Sequence, residues 1–190
     1  MDDYREKPVP PRPGQGALRR DLAEALRVDH AGELAAVHIY RGQQAVLSGA
    51  AGKGALATTF GEMKAQEAEH LAAFDELLTS EGVRPSLLTP MWRTAGFALG
   101  AATALMGEKA AHACTEAVEE VIGEHYAAQV EALQAREPAL ARRISKFRDD
   151  ELAHHDHAVE AGSREAPGHR LLSAVIRTGC RAAIKVAEKI

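Results

Sequence analysis

The sequence is short of several things, and each shortage closes off a class of explanation. Two cysteines in 190 residues, Cys114 and Cys180, cannot build a disulfide framework and read as buried thiols in a reducing compartment. Aromatic residues make up only 4% of the chain, so the core must come from small and aliphatic side chains on closely packed elements. Basic residues do not predominate. The 23 Lys and Arg stand against 27 Asp and Glu, a net charge of −4, which is not the strongly basic balance of a general nucleic-acid binder. No long hydrophobic run occurs: the longest low-charge stretch, 94–107, falls short of the ~20 residues that span a bilayer. No glycine loop fits a nucleotide, because residues 14–19 lack the third glycine and 49–53 lack the Walker spacing. Strand formers are scarce too: Val, Ile and Thr together number 25, against 38 Ala.

What the chain does have is helix. Four of the eight prolines crowd into positions 8–13, so residues 1–16 read as a flexible Pro-rich tail and 17–190 as one domain. Met1-Asp2-Asp3 has no apolar run behind it, so neither a secretory signal nor a transit peptide is expected. From Ala17, apolar residues at three- and four-residue spacing predict a helix over about 17–48, ended by Ser48-Gly49. Further helices are predicted over about 55–80, 91–135, 139–162 and 169–190, separated by Gly82 and Pro85, by Glu137-Pro138, and by Gly162 to Gly168. Four long helices joined by short breaks make an all-α four-helix bundle the expected architecture, with an added C-terminal helix.

The chemistry-bearing residues are acids and histidines on those helices. Glu67-Ala68-Glu69-His70 and Glu151-Leu152-Ala153-His154 are both Glu-x-x-His, a spacing that puts both side chains on one helix face. Either alone is weak, but the pattern repeats. Glu33 precedes Glu67 by 34 residues and Glu119 precedes Glu151 by 32, and Tyr40 and Tyr126 each lie seven residues beyond their Glu. The chain thus reads as two helical hairpins, each with a lone Glu followed by Glu-x-x-His. Glu116 and Glu120 compete with Glu119, and His155 with His154, but only Glu119 and His154 keep the hairpins matched.

Four carboxylates in a bundle core repel one another and are poorly solvated, at several kcal/mol per uncompensated ion. Two divalent cations would supply +4 against −4, and oxygen with imidazole suits iron or manganese better than structural zinc. The competing explanation is an interhelical salt-bridge network, for which Lys64 and Arg148, each three residues before a Glu of the motifs, are the available cations.

Several long segments carry a resemblance. Arg27-Val28-Asp29-His30-Ala31-Gly32-Glu33, Ile39-Tyr40-Arg41-Gly42-Gln43, Glu67-Ala68-Glu69-His70-Leu71, the run from Cys114 to Tyr126, and 146–156 occur in the order found in the demethoxyubiquinone hydroxylase (Coq7/Clk-1) family. The similarity extends from about residue 19 to the C-terminus. It implies a ferritin-like bundle with metal ligands Glu33, Glu67, His70, Glu119, Glu151 and His154. It also implies a monooxygenase of ubiquinone biosynthesis that hydroxylates a polyprenylated methoxy-methyl benzoquinol. The implied cofactor is two irons, with O₂ and NADH or another reductant as co-substrates. His125 and Tyr126 become candidates for supporting a ligand or carrying electrons, and Asp29 and His30 for orienting one.

The expected partners are the quinol, a membrane surface, and a second copy or a ubiquinone-biosynthesis complex, with no nucleic acid. A peripheral place on the cytoplasmic face of a bacterial inner membrane follows. The charge pattern agrees with it: residues 163–190 hold six basic and two acidic residues. On a helix, Arg170, Arg177, Arg181 and Lys185 form one stripe and Leu172, Ile176, Ala183, Val186 and Ile190 another, a pattern suited to an anionic lipid surface; the alternative packs the apolar stripe on the four-helix core and leaves the basic stripe solvated. Two other classes compete: a ferritin-like iron-storage or peroxide-handling protein, and a non-enzymatic membrane-binding bundle. The low-charge stretch 94–107 argues against the hydrophilic exterior of a storage cage.

Overall fold

A computed structural model describes the backbone of residues 15–190 and the side chains from Arg20 onward. The tail expected over 1–16 lies outside the described residues, save Gln15 and Gly16. Among the described residues six α-helices follow one another: α1 (Gln15–Ser48), α2 (Gly54–Glu81), α3 (Thr89–Leu105), α4 (Glu108–Leu133), α5 (Pro138–Glu160) and α6 (His169–Ala187). A single 3₁₀ turn, Ser163–Glu165, joins α5 to α6. The described residues contain no strand.

The breaks fall where local chemistry puts them. At the end of α2, Gly82 takes φ +64°, and the Val83 N–H donates to the Leu78 carbonyl at 2.8 Å, closing a left-handed cap. Pro138 begins α5 at a position where a missing N–H costs nothing. The one helix predicted over 91–135 is in fact two. Gly107 at φ +118° stops the low-charge segment and starts α4, a conformation that side-chain-bearing residues rarely adopt.

The short α1–α2 and α4–α5 connections make two antiparallel hairpins, and these form the four-helix core. The remaining two helices flank it. Glycines set the first of these contacts, between α3 and α1. A Cβ on Gly100 would lie 1.9 Å from the Ile39 carbonyl oxygen, on Gly96 2.6 Å from that of Ala35, and on Gly42 2.3 Å from that of Phe97. The two backbones therefore touch, with no room for a methyl group. Helix α6 lies against α4 through Leu172 and Ile176, while Ala183 and Ile184 pack beside Trp92 of α3.

Two apolar layers hold the bundle from its ends. Leu26, Phe74, Leu78, Tyr126, Ile144 and Phe147 form one, and Tyr40, Leu47, Phe60, Met63, Ala104 and Ala111 the other. Each layer contributes one buried tyrosine whose hydroxyl reaches the polar cluster in the core.

Candidate metal centre

Each helix of the core brings its acids and histidines inward through the three- and seven-residue spacings of the sequence. The structure gathers the six residues into two overlapping sets. Glu33, Glu67, His70 and Glu151 form one, and Glu67, Glu119, Glu151 and His154 the other. Within each set the potential ligand atoms all lie within 4.8 Å of one another. Glu67 and Glu151, from α2 and α5, belong to both sets. Glu33 and Glu119, from α1 and α4, each belong to one. All four glutamates are at most 2% exposed.

The histidines point Nδ1 into the cluster. His70 Nδ1 is 3.1 Å from Glu151 Oε1 and 3.5 Å from Glu67 Oε2, while His154 Nδ1 is 2.9 Å from Glu67 Oε1. Their Nε2 atoms face away, toward Asp150 and Gln66 respectively.

The electrostatics are those of carboxylates crowded together out of water, with two histidines against them. Burial, then the neighbouring Glu151, holds the carboxyls of Glu33 and Glu119 well above the usual range. Burial also works against Glu67, but the imidazoles of His154 and His70 close beside it outweigh burial and lower that group to about 2. Burial opposes charge on both histidines as well. The closeness of the surrounding glutamates wins, raising His154 to about 9 and His70 further.

The salt-bridge explanation fails on geometry. Among the described residues, no Lys or Arg pairs with Glu33, Glu67, Glu119 or Glu151. Lys64 donates instead to Gln44 Oε1 at 2.5 Å, and Arg148 to Asp149 at 3.3 Å. Five buried carboxylate oxygens carry no hydrogen bond: Glu33 Oε2, both oxygens of Glu67, Glu119 Oε2 and Glu151 Oε2. Buried polar atoms are ordinarily satisfied, so five orphans converging on one place fit a pair of cations.

The rivals for these positions are committed elsewhere. Glu116 is buried on another face of α4, where it accepts from Ser163 Oγ at 2.5 Å and Arg164 Nε at 3.1 Å and lies 2.9 Å from His169 Nε2. Glu120 binds Arg177 at 2.7 Å, and His155 faces Asp156 at 2.9 Å.

The tyrosines act crosswise between the hairpins. Tyr40 of the first donates to Glu119 of the second at 2.5 Å, and Tyr126 of the second donates to Glu33 of the first. His125 makes no hydrogen bond to the cluster: its Nε2 is 3.0 Å from Asp29, which also accepts from Gln129. His30 pairs with Asp75 at 3.0 Å. Asp29 and His30 therefore hydrogen-bond to none of the six. Asp150 and Gln66 were missed by sequence reasoning, although each immediately precedes the Glu of a Glu-x-x-His motif.

A helical bundle whose core sets four glutamates and two histidines in two overlapping groups belongs to the ferritin-like carboxylate bundles. Within that class, the chain belongs to the family described as Ubiquinone biosynthesis protein COQ7, which matches residues 20–187. It is 47% identical to the 3-demethoxyubiquinol 3-hydroxylase of Rhodospirillum rubrum, over 97% of this chain and 84% of that one. It is 44% identical to the mitochondrial NADPH-dependent 3-demethoxyubiquinone 3-hydroxylase of Homo sapiens, over 90% and 79%. Against the mitochondrial 5-demethoxyubiquinone hydroxylase of Saccharomyces cerevisiae it is 42% identical, over 89% and 78%.

Proposed function

We propose that this protein is a di-iron monooxygenase that hydroxylates the open ring carbon of a polyprenylated demethoxyubiquinol. The carrying observation is the convergence of four buried glutamates and two histidines with no Lys or Arg among them, in a chain of this family. Glu33, Glu67, His70 and Glu151 would hold one iron, and Glu67, Glu119, Glu151 and His154 the other. When bound, the irons supply the binding and reduction of O₂, with electrons from a reduced nicotinamide or another donor. The chain's own residues do the rest. Tyr40 occupies one oxygen of Glu119 and Tyr126 one of Glu33, and each fixes that side chain's rotamer. The apolar layers on either side exclude water from the oxidant.

Access for the ring is through an apolar slot between α1, α3, α4 and α6. It is lined by Gly32, Ala36 and Ile39 of α1, Trp92 of α3, Val118 of α4 and Ile184 of α6, among others. At about 80 Å³ it is far smaller than the ~300–1,000 Å³ of ordinary ligand sites, so α3 and α6 must part to admit a substituted ring.

Those two helices and the residues that flank them carry nearly all the large exposed apolar side chains. Leu87 and Leu105 flank or end α3 at 77% and 76% exposure, and Leu171 and Val175 of α6 stand at 72% and 62%. No helix of the described residues is long and apolar enough to cross a membrane. The reading is therefore peripheral: α3 and α6 rest on lipid, the tail stays there, and the ring enters between them.

The apolar stripe expected to meet lipid needs correction. Leu172, Ile176 and Ala183 pack inward, and Arg177 and Arg181 pair with Glu120 and Glu124 of α4. Val186 and Ile190 of that stripe do face outward, and Leu171 and Val175 stand exposed there in place of the other three. So exposed an apolar face also disfavours a storage cage.

The test is single-turnover reaction of the iron-loaded protein with reductant and a short-tailed methoxy-methyl quinol under ¹⁸O₂. One labelled oxygen is expected in the product ring. Label arriving from water instead would rule out the oxygenase mechanism.

A further inference from the structure

Six residues face the metals in the proposed reading, but the atoms behind the two histidines differ. His70 Nε2 lies 3.2 Å from Asp150 Oδ2, and His154 Nε2 lies 3.0 Å from Gln66 Oε1. The arrangement is reciprocal. Asp150 precedes Glu151 of the second hairpin and supports the histidine of the first, while Gln66 precedes Glu67 of the first and supports the histidine of the second. Geometry and register match between the halves, yet one support is a carboxylate and the other an amide. Both line the same polar cleft between α2 and α5, and Asp150 is only 27% exposed.

The chemical difference acts through the imidazole. A carboxylate draws the Nε2 proton toward itself and leaves Nδ1 more electron-rich, whereas an amide oxygen accepts the same bond without a charge. A negative charge behind His70 also favours a cation in front of it, and it is partly shielded from solvent. The ligand sets themselves do not differ in charge, because each holds three glutamates and one histidine.

We propose that Asp150 and Gln66 are positioning residues that make the two metal positions unequal, the His70 position binding a divalent cation more tightly than the His154 position. The proposal rests on the two-metal reading above. It goes beyond that reading by ranking the positions and naming the side chains that rank them.

The experiment titrates metal-free protein with Co(II) alone, following its visible absorption and the heat of binding. Wild type should show two steps. Asp150→Asn should weaken the tighter step about tenfold to a hundredfold and leave the weaker one unchanged, the range found when such partners of a metal-bound histidine are lost. Gln66→Glu should strengthen the weaker step and bring the two together, a gain that misfolding cannot produce. With one equivalent of Zn(II), the ¹⁵N side-chain resonances of His70 should shift before those of His154.

One indistinguishable step in wild type, or a first shift at His154, overturns the ranking. So does equal weakening of both steps by Asp150→Asn, which marks a merely structural role. Wild type that binds no Co(II) overturns the two-metal reading itself, a different result from two equal sites.

Discussion

Raising the pH should destabilise the metal-free bundle over a range where the metal-loaded bundle gains from its metal. The signs come from the core groups. His154 titrates at 6.5 in an unfolded chain and at about 9 in the fold, so its stabilisation is complete below pH 6.5 and is lost as the pH passes through 9. His70 is raised further, so its loss starts from the same lower limit and extends higher. Glu33 and Glu119 are raised well above 4.5, so the folded state keeps protons there that the unfolded chain has released, and rising pH works against folding. Glu67, lowered to about 2, has the opposite sign, but its contribution is lost only as the pH falls from 4.5 toward 2. Between pH 6.5 and 9 the two histidines therefore act in one direction, and the raised carboxyls of Glu33 and Glu119 never oppose them.

The His154 shift alone corresponds to about 3 kcal/mol, at ~1.4 kcal/mol per pKa unit. In a domain of this size that lowers Tm by roughly 6–12 °C. Cations replace the same protons, so the stabilisation that iron or cobalt adds should grow over the same interval. The assay is thermal unfolding by circular dichroism at pH 6.5, 7.5, 8.5 and 9, with chelator and with saturating metal. A metal-free Tm that is flat or rises with pH would refute the reasoning.

Other outcomes follow from the same geometry. Glu119→Ala should lose bound metal and activity together, whereas Glu116→Ala should keep its metal and lose about 1–3 kcal/mol of stability through the stranded partners of its carboxylate; metal analysis beside a melt separates the two. Gly100→Ala should cost at least ~1–3 kcal/mol, because its methyl group would meet the Ile39 carbonyl and push α3 off α1; an unchanged denaturation midpoint would contradict that contact. Leu171→Glu with Val175→Glu should cut co-sedimentation with anionic vesicles at least tenfold while leaving the inward stripe of α6 intact. Equal sedimentation of wild type and variant would remove the lipid-facing role of α6.

The four-helix core was legible because its signal is periodic. Apolar residues at helical spacing locate α1, α2 and α5 to within a few residues, and Gly and Pro mark their ends. The α3–α4 break escaped because Gly107 sits in a long helix-favouring stretch, and a lone glycine does not announce a φ of +118°. The side of α6 that meets the bundle was equally hidden. That helix has two adjacent apolar faces, and only tertiary packing chooses Leu172 and Ile176 for the core over Leu171 and Val175.

At the cluster, repetition within the chain identified which acids and histidines converge, because two hairpins with the same spacing must present the same faces. Repetition could not show that support runs between the halves. Tyr40 lies seven residues after Glu33 but binds Glu119, and Tyr126 lies seven after Glu119 but binds Glu33. Asp150 and Gln66 cross in the same way. The reason is geometric: a side chain one or two turns from a ligand on its own helix is displaced along the axis and cannot reach behind it. A residue on a facing helix arrives at the same depth from the opposite side. Each hairpin thus supplies half the cluster and supports for the other half, so neither has a completed set of partners until the two have docked.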